Sequence, residues 1–144
     1  MVETHANLPL AAGALLSAIA ALLHLGIVAG GPAWYRFFGA GERFAVAAGQ
    51  GEWTPALVTL GIATVLFAWA AYALAGAGVI AAPPLLKAGL VAITAVYLVR
   101  GVAYAPLVLA HGGRITPFVV WSSAICFAYG VVHLVGLVQR WRVL

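Results

Sequence analysis

The chain has 144 residues, of which 65% are hydrophobic and 7% are charged, and its mean hydropathy is +1.11. Soluble domains are roughly 45 to 50% apolar and about 25% charged, so this composition excludes an ordinary soluble domain and indicates an integral membrane protein. The net charge of +4 reflects scarce acids, and six of the seven basic residues are split between two membrane faces, which excludes a continuous nucleic-acid-binding surface.

Four stretches approach or exceed the roughly 20 apolar residues that a helix needs to cross a bilayer. They cover about residues 8–29, 55–80, 84–110 and 117–138. A proline stands near the start of each stretch, where its missing N–H costs a helix nothing. A signal peptide is the competing interpretation of the first stretch, but no basic region precedes it. The sequence predicts an all-α integral membrane protein, a four-transmembrane-helix bundle that forms one membrane domain over residues 1–144.

The only long connection covers about residues 30–54. At helical spacing its polar residues fall on one arc and most of its aromatic residues fall outside that arc, which predicts an amphipathic interfacial segment between helices 1 and 2. Gly39 and Gly41 weaken a helix here, because each costs about 1 kcal/mol relative to Ala. The segment is either a membrane-bound connector or a lid over a site between the helices. The polar arc contains Tyr35, Arg36, Glu42 and Arg43.

Basic residues are distributed evenly between the two faces that an even number of spans implies. Lys87, Arg140 and Arg142 lie on the side of the termini, and three arginines lie on the other side. The positive-inside rule therefore favours neither orientation. The C-terminal Arg140-Trp141-Arg142 cluster favours both termini in the cytoplasm. Equal numbers of basic residues on the two sides are also what a dual-topology protein that pairs as an antiparallel dimer would show.

Arg100 is the only charge within any apolar stretch away from its ends. An arginine near the middle of a bilayer costs about 2.5 to 3.5 kcal/mol, so it needs a partner, a cavity or a function. Helical spacing and depth predict two polar clusters along a seam between the helices. The first contains Arg100, His24, Tyr97, Tyr104 and Ser122 beneath Glu42, and the second contains His133, Tyr72 and Tyr129.

Arg100 has three interpretations. It forms a structural ion pair with Glu42 or Glu52, it binds a carboxylate, phosphate or lipid headgroup with His24 as a second contact, or it contacts a partner subunit. The chain contains no Asp, and no acidic residue lies within a span. Ion-coupled carriers commonly use intramembrane carboxylates, so the sequence gives such a mechanism little support.

His24 and His133 invite comparison with heme b ligands. Both lie toward the C-terminal ends of antiparallel helices, so their depths differ by about 15 Å, too much for one heme within a monomer. Only an antiparallel dimer would bring them level. Cys126 is interpreted as a small buried side chain, and a lone cysteine excludes an intrachain disulfide. We therefore expect no cofactor and no metal site.

Three segments of the chain carry a resemblance to known proteins: residues 34–42 (WYRFFGAGE), 57–63 (LVTLGIA) and 121–123 (WSS). They resemble small four-span inner-membrane proteins of bacteria, a group without an assigned activity. The resemblance implies a multi-pass protein of the bacterial cytoplasmic membrane and transfers no site.

Our first hypothesis is a non-enzymatic protein that binds a lipid or a small anionic or amphiphilic molecule. The alternatives are a small dimeric transporter or channel and an accessory subunit of a membrane complex.

Overall fold

The computed structural model describes residues 6–144, and within them the chain is all-helical with five helices. Every helix except the second is long and apolar enough to cross a membrane, which confirms the predicted helical class and the four apolar spans. The helices are α1 (Leu8–Phe37), α2 (Glu42–Gly49), α3 (Thr54–Gly76), α4 (Leu86–Ala110) and α5 (Pro117–Arg140).

Side chains cap the starts of two helices. Asn7 Oδ1 accepts a hydrogen bond from the Leu10 N–H at 3.0 Å, and Thr116 Oγ1 accepts one from Val119 at 3.3 Å. The start of α4 differs, because Pro83 and Pro84 precede the helix and do not form its first turn. Leu85, with φ +57°, turns the chain into α4 through a left-handed conformation that non-glycine residues rarely adopt.

The connector is two short helical pieces, whereas the sequence suggested one amphipathic helix. α1 continues beyond Ala29 to Phe37 across a break at Gly31, which has φ +64° and ψ −150°. Gly39 and Gly41 also have positive φ values, 67° and 96°, and they separate this piece from α2. Glycine tolerates such angles and disfavours a helix interior, so these residues divide the connector.

Packing divides the chain into two compact units, residues 1–17 with 69–144 and residues 18–68. In the first unit α4 and α5 pack closely because glycine lies where their backbones meet. A Cβ atom built on Gly101 would lie 2.7 Å from the backbone N of Phe127. One built on Gly130 would lie 2.9 Å from the backbone N of Leu98. Leu98 of α4 meets Gly130 of α5, and Gly101, later in α4, meets Phe127, earlier in α5. The two helices are therefore antiparallel.

One end of the first unit holds its main apolar core, where α1 and α4 begin and α3 and α5 end. Leu10 and Leu90 are fully buried there. Asn7 fixes the start of α1 by donating from its backbone N–H to the Ala77 carbonyl at 3.0 Å and from its side-chain amide to Gln139 Oε1 at 2.8 Å. This end is therefore the best-fixed part of the unit.

The second unit has a small core built around Tyr35, which is 2% exposed and packs with Ile27 and Ala45. The phenol oxygen of Tyr35 accepts a hydrogen bond from Thr59 Oγ1 at 3.3 Å. Helical spacing placed Tyr35 on the polar arc, but its ring is buried and faces this core instead.

Candidate functional site

Arg100 lies on α4 and makes two polar or aromatic contacts, both within the first unit. Its guanidinium carbon Cζ lies 3.6 Å from the ring centroid of Tyr104, one turn further along the helix. Its Nη2 donates to Ser122 Oγ of α5 at 3.5 Å, and the Ser122 hydroxyl donates in turn to the Val119 carbonyl. Three members of the predicted first cluster are thus brought together. Stacking on a tyrosine ring is a favourable placement for a cation away from water.

The guanidinium of Arg100 is nevertheless incompletely satisfied. An arginine has five N–H donors, and the bond to Ser122 is at the long limit of a hydrogen bond. Its Nη1 is buried and has no hydrogen-bond partner among residues 6–144. No acidic residue follows Glu52 in the sequence, so the first unit carries no carboxylate between residues 69 and 144. A buried donor without an acceptor costs roughly 1 to 3 kcal/mol, and more for a charged group.

A groove of about 410 Å³ runs along the outer face of α4 past Arg100. Its volume lies within the range of about 300 to 1,000 Å³ that is typical of small-molecule sites. Val99 and Leu107 are 60% and 54% exposed, so the groove opens on the apolar surface of the helix. Besides Arg100, it is lined by Tyr104 and by the aliphatic side chains of Val96, Val99, Ala103 and Leu107.

Sequence reasoning missed the groove, although its pattern is visible in the sequence. Val96 and Ala103 flank Arg100 at helical spacings of four and three, and Leu107 lies seven residues beyond it. A charged residue at the centre of an apolar helical face is the signal that could have identified the groove.

Tyr97 belongs to a different, buried cluster. Its hydroxyl forms a 2.9 Å hydrogen bond with Ser17 Oγ of α1. The Tyr97 ring lies edge-on to Trp69 and Tyr129, with centroid distances of 5.1 and 5.5 Å, and 5.2 Å from the His133 ring. The structure therefore joins Tyr129 and His133, as predicted, and adds Tyr97 to them.

His133 is fully buried, and its Nδ1 donates to the Tyr129 carbonyl at 2.8 Å. Its Nε2 is also buried and has no partner in the described part of the chain. α1 packs directly on this ring, since a Cβ atom built on Gly13 would lie 2.8 Å from His133 Cε1. A heme could not reach Nε2 without opening this packing, so the site does not fit a heme. Residues 6–144 also contain no group of three or more metal-ligating side chains.

Three other predicted site residues have separate surroundings. Tyr72 donates to the Pro84 carbonyl at 3.2 Å, and its ring packs on Gly89. In the second unit, His24 Nδ1 donates to the Ala20 carbonyl at 2.7 Å. The association of His24 and Glu42 with Arg100 stays a prediction.

Glu42 forms an ion pair with Arg36 in the connector. Its carboxylate accepts from Arg36 Nε at 2.9 Å and from Nη2 at 2.7 Å. The hydrogen bond from Arg36 holds the pKa of Glu42 below its ordinary value. A lowered carboxyl pKa means that the pair stabilises the connector above the ordinary Glu range, and that this contribution is lost as the pH falls through the folded pKa.

We therefore expect hydrogen-exchange protection of α2 to fall when the pH drops below about 4, near the ordinary Glu pKa. Protection factors corrected for intrinsic exchange measure this effect. In Glu42→Gln, α2 should be less protected from exchange at pH 7, and its protection should not decrease further in acid. In Glu52→Gln, the protection of α2 should follow that of the wild type. An unchanged decrease in Glu42→Gln would contradict this role of the ion pair.

Four helices apolar enough to span a membrane indicate a multi-pass membrane protein, and the side chain of Arg100 contributes to an apolar groove on α4. No protein-family model, curated protein or solved structure matches the chain.

Proposed function

We propose that this protein binds a lipid or another small anionic amphiphile in the α4 groove, with Arg100 as the anchor for the anionic group. The observation that carries the proposal is the buried Nη1 of Arg100, which has no partner in the described residues and belongs to a side chain that lines the groove. A membrane arginine without an acidic partner calls for an anion from outside the chain.

The chemistry of the groove matches the two parts of an amphiphile. A carboxylate or phosphate suits the planar guanidinium, which can hold two oxygens with parallel N–H bonds. Rotation of the terminal torsions of Arg100 turns Nη1 toward such a group, while Tyr104 supports the guanidinium face. The aliphatic lining accommodates an acyl chain. The proposed role is therefore binding.

We further propose that the protein resides in the bacterial cytoplasmic membrane with both termini in the cytoplasm. This placement is supported by the resemblance of residues 34–42 to small bacterial inner-membrane proteins and by the Arg140-Trp141-Arg142 cluster. C-terminal reporter fusions test it: activity on the periplasmic side alone would exclude it, and activity on both sides would favour a dual-topology dimer.

Arg100→Leu is expected to weaken binding of oleate and of lysophosphatidylglycerol at least tenfold, because hydrogen bonds to a charged group contribute roughly 1.5 to 3 kcal/mol. Native mass spectrometry of the purified protein measures both ligands, one with a carboxylate and one with a phosphate. Oleyl alcohol has the same chain as oleate without the charge, so its affinity should not change. The amphiphiles that co-purify with the wild type should also be lost.

Arg114→Leu is the matched control, since Arg114 lies exposed in the turn between α4 and α5 and undergoes the same change of charge. Arg100→Lys should restore only part of the affinity, because an ammonium cannot form the bidentate contact. If Arg100→Leu does not accumulate, Val99→Trp fills the groove without altering charge and should reduce binding of all three ligands. Unchanged oleate and lysophosphatidylglycerol binding in Arg100→Leu or in Val99→Trp would refute the proposal.

A further inference from the structure

A second concentration of positive charge lies far along α4 from Arg100, at the end of the first unit where α4 begins and α5 ends. Lys87 is in the first turn of α4, Arg140 is the last residue of α5, and Arg142 follows it. We call these three residues the basic end. No acidic side chain lies between residues 69 and 144.

Two of the three cations are held in defined positions. Lys87 Nζ donates to the Trp141 carbonyl at 2.8 Å and lies 4.1 Å from the centroid of the Trp141 ring. It thereby meets the negative end of the α5 dipole. The guanidinium of Arg140 lies beside Gly78, since its Nη2 would be 3.4 Å from a Cβ atom built there. Arg140 Nε is buried and has no hydrogen-bond partner in the described residues.

An apolar rim surrounds the basic end. The connection between α3 and α4 carries no charge from residue 77 to residue 85. Its large side chains are exposed: Val79 by 53%, Ile80 by 46% and Leu85 by 80%. Trp141, which lies under Lys87, is 48% exposed. Exposed aliphatic residues beside a tryptophan and several cations are typical of the boundary between acyl chains and headgroups.

We propose that the basic end binds the headgroups of anionic phospholipids. The phosphate lies between Arg140 and Arg142, Lys87 adds a third positive charge, and the apolar rim inserts among the acyl chains. Charge complementarity selects this occupant, because each Lys or Arg near an anionic membrane surface strengthens binding by about fivefold. The site is distinct from the Arg100 groove, and its existence does not depend on the function proposed for that groove.

The test uses full-length protein freed of co-purified lipid in mild detergent and titrated with phosphatidylglycerol or phosphatidylcholine under native mass spectrometry. The wild type should prefer phosphatidylglycerol, and the preference should shrink at high salt because exposed charges are screened. Arg140→Gln/Arg142→Gln should bind phosphatidylglycerol about 25-fold more weakly, because each of the two lost charges weakens binding about fivefold. Phosphatidylcholine binding should be unchanged.

Arg43→Gln/Arg114→Gln is the matched control, since both arginines are exposed and lie outside the basic end. It should keep the preference for phosphatidylglycerol, and so should Arg100→Leu, which separates this surface from the α4 groove. If the Arg140→Gln/Arg142→Gln protein does not fold, Lys87→Gln should still weaken phosphatidylglycerol binding about fivefold. The proposal is overturned if the basic-end variants retain the wild-type preference, or if the control loses as much affinity as they do.

Discussion

Gly101→Ala is expected to lower the free energy of unfolding by about 1 to 3 kcal/mol, the usual cost of overpacking a well-packed contact. The new Cβ would lie 2.7 Å from the backbone N and 2.8 Å from the Cα of Phe127. A backbone cannot rotate away as a side-chain end can, so α4 and α5 must separate along part of their length. Unfolding in mixed detergent and dodecyl sulfate micelles, followed by tryptophan fluorescence, measures the loss.

Gly61→Ala is the matched control within a helix. A Cβ built on Gly61 meets no atom within 4 Å, and its φ is not in the left-handed region. Alanine favours a helix over glycine by about 1 kcal/mol, so this variant should be as stable as the wild type or more stable. Equal destabilisation by the two substitutions would show that the contact with Phe127 does not determine the result at Gly101.

Gly13→Ala is expected to cost about 1 to 3 kcal/mol for a different reason, since its Cβ meets the imidazole of His133. The distances from that position to Cε1 and Nε2 would be 2.8 and 3.0 Å. The ring is fully buried. Replacing His133 by Ala removes the clash, so Gly13→Ala should cost little in a His133→Ala background.

A double-mutant cycle measures this coupling. The interaction energy between Gly13→Ala and His133→Ala should be at least 1 kcal/mol, because residues in contact are commonly non-additive by 0.5 to 3 kcal/mol. Gly61→Ala combined with His133→Ala should be additive to within about 0.5 kcal/mol. Additivity in the Gly13 cycle would mean that α1 does not rest on the His133 ring.

The helices were predictable because each span is a long apolar run and because Asn7 and Thr116 cap their helices through local hydrogen bonds. A predicted helix boundary was wrong where local backbone geometry determines the start of the helix. Leu85 adopts a left-handed conformation, which moved the start of α4 two residues beyond the proline pair. The sequence does not indicate this left-handed conformation, since leucine is an unusual residue for such a turn.

The candidate site was predictable in part. Arg100 and Tyr104 are four residues apart on one helix, so their contact follows from helix geometry. Tyr97 also appeared to share this face, but three residues correspond to a rotation of about 60° around the axis at 3.6 residues per turn. Tyr97 faces Ser17 whereas Arg100 and Tyr104 line the groove further along the helix, so position along the axis separates them as well as rotation.

The partner of Glu42 could not be found by the same reasoning. Arg36 is six residues away, a spacing that does not align side chains on a continuous helix. The glycine turn at Gly39 and Gly41 ends one helical piece and starts the next, which brings the two charges together. Sequence reasoning considered Glu42 only as a partner for Arg100 because it assumed that one helix covered both positions.

The break at Gly31 also determines the hydrophobic length of α1. At 1.5 Å per residue, the 30 residues of a straight α1 would extend about 45 Å, whereas the part from Leu8 to Gly30 extends about 35 Å. A hydrocarbon layer about 30 Å thick accommodates the shorter length with a modest tilt. A side chain larger than hydrogen disfavours the left-handed angle at position 31, so this one glycine adjusts the first helix to the thickness of its membrane.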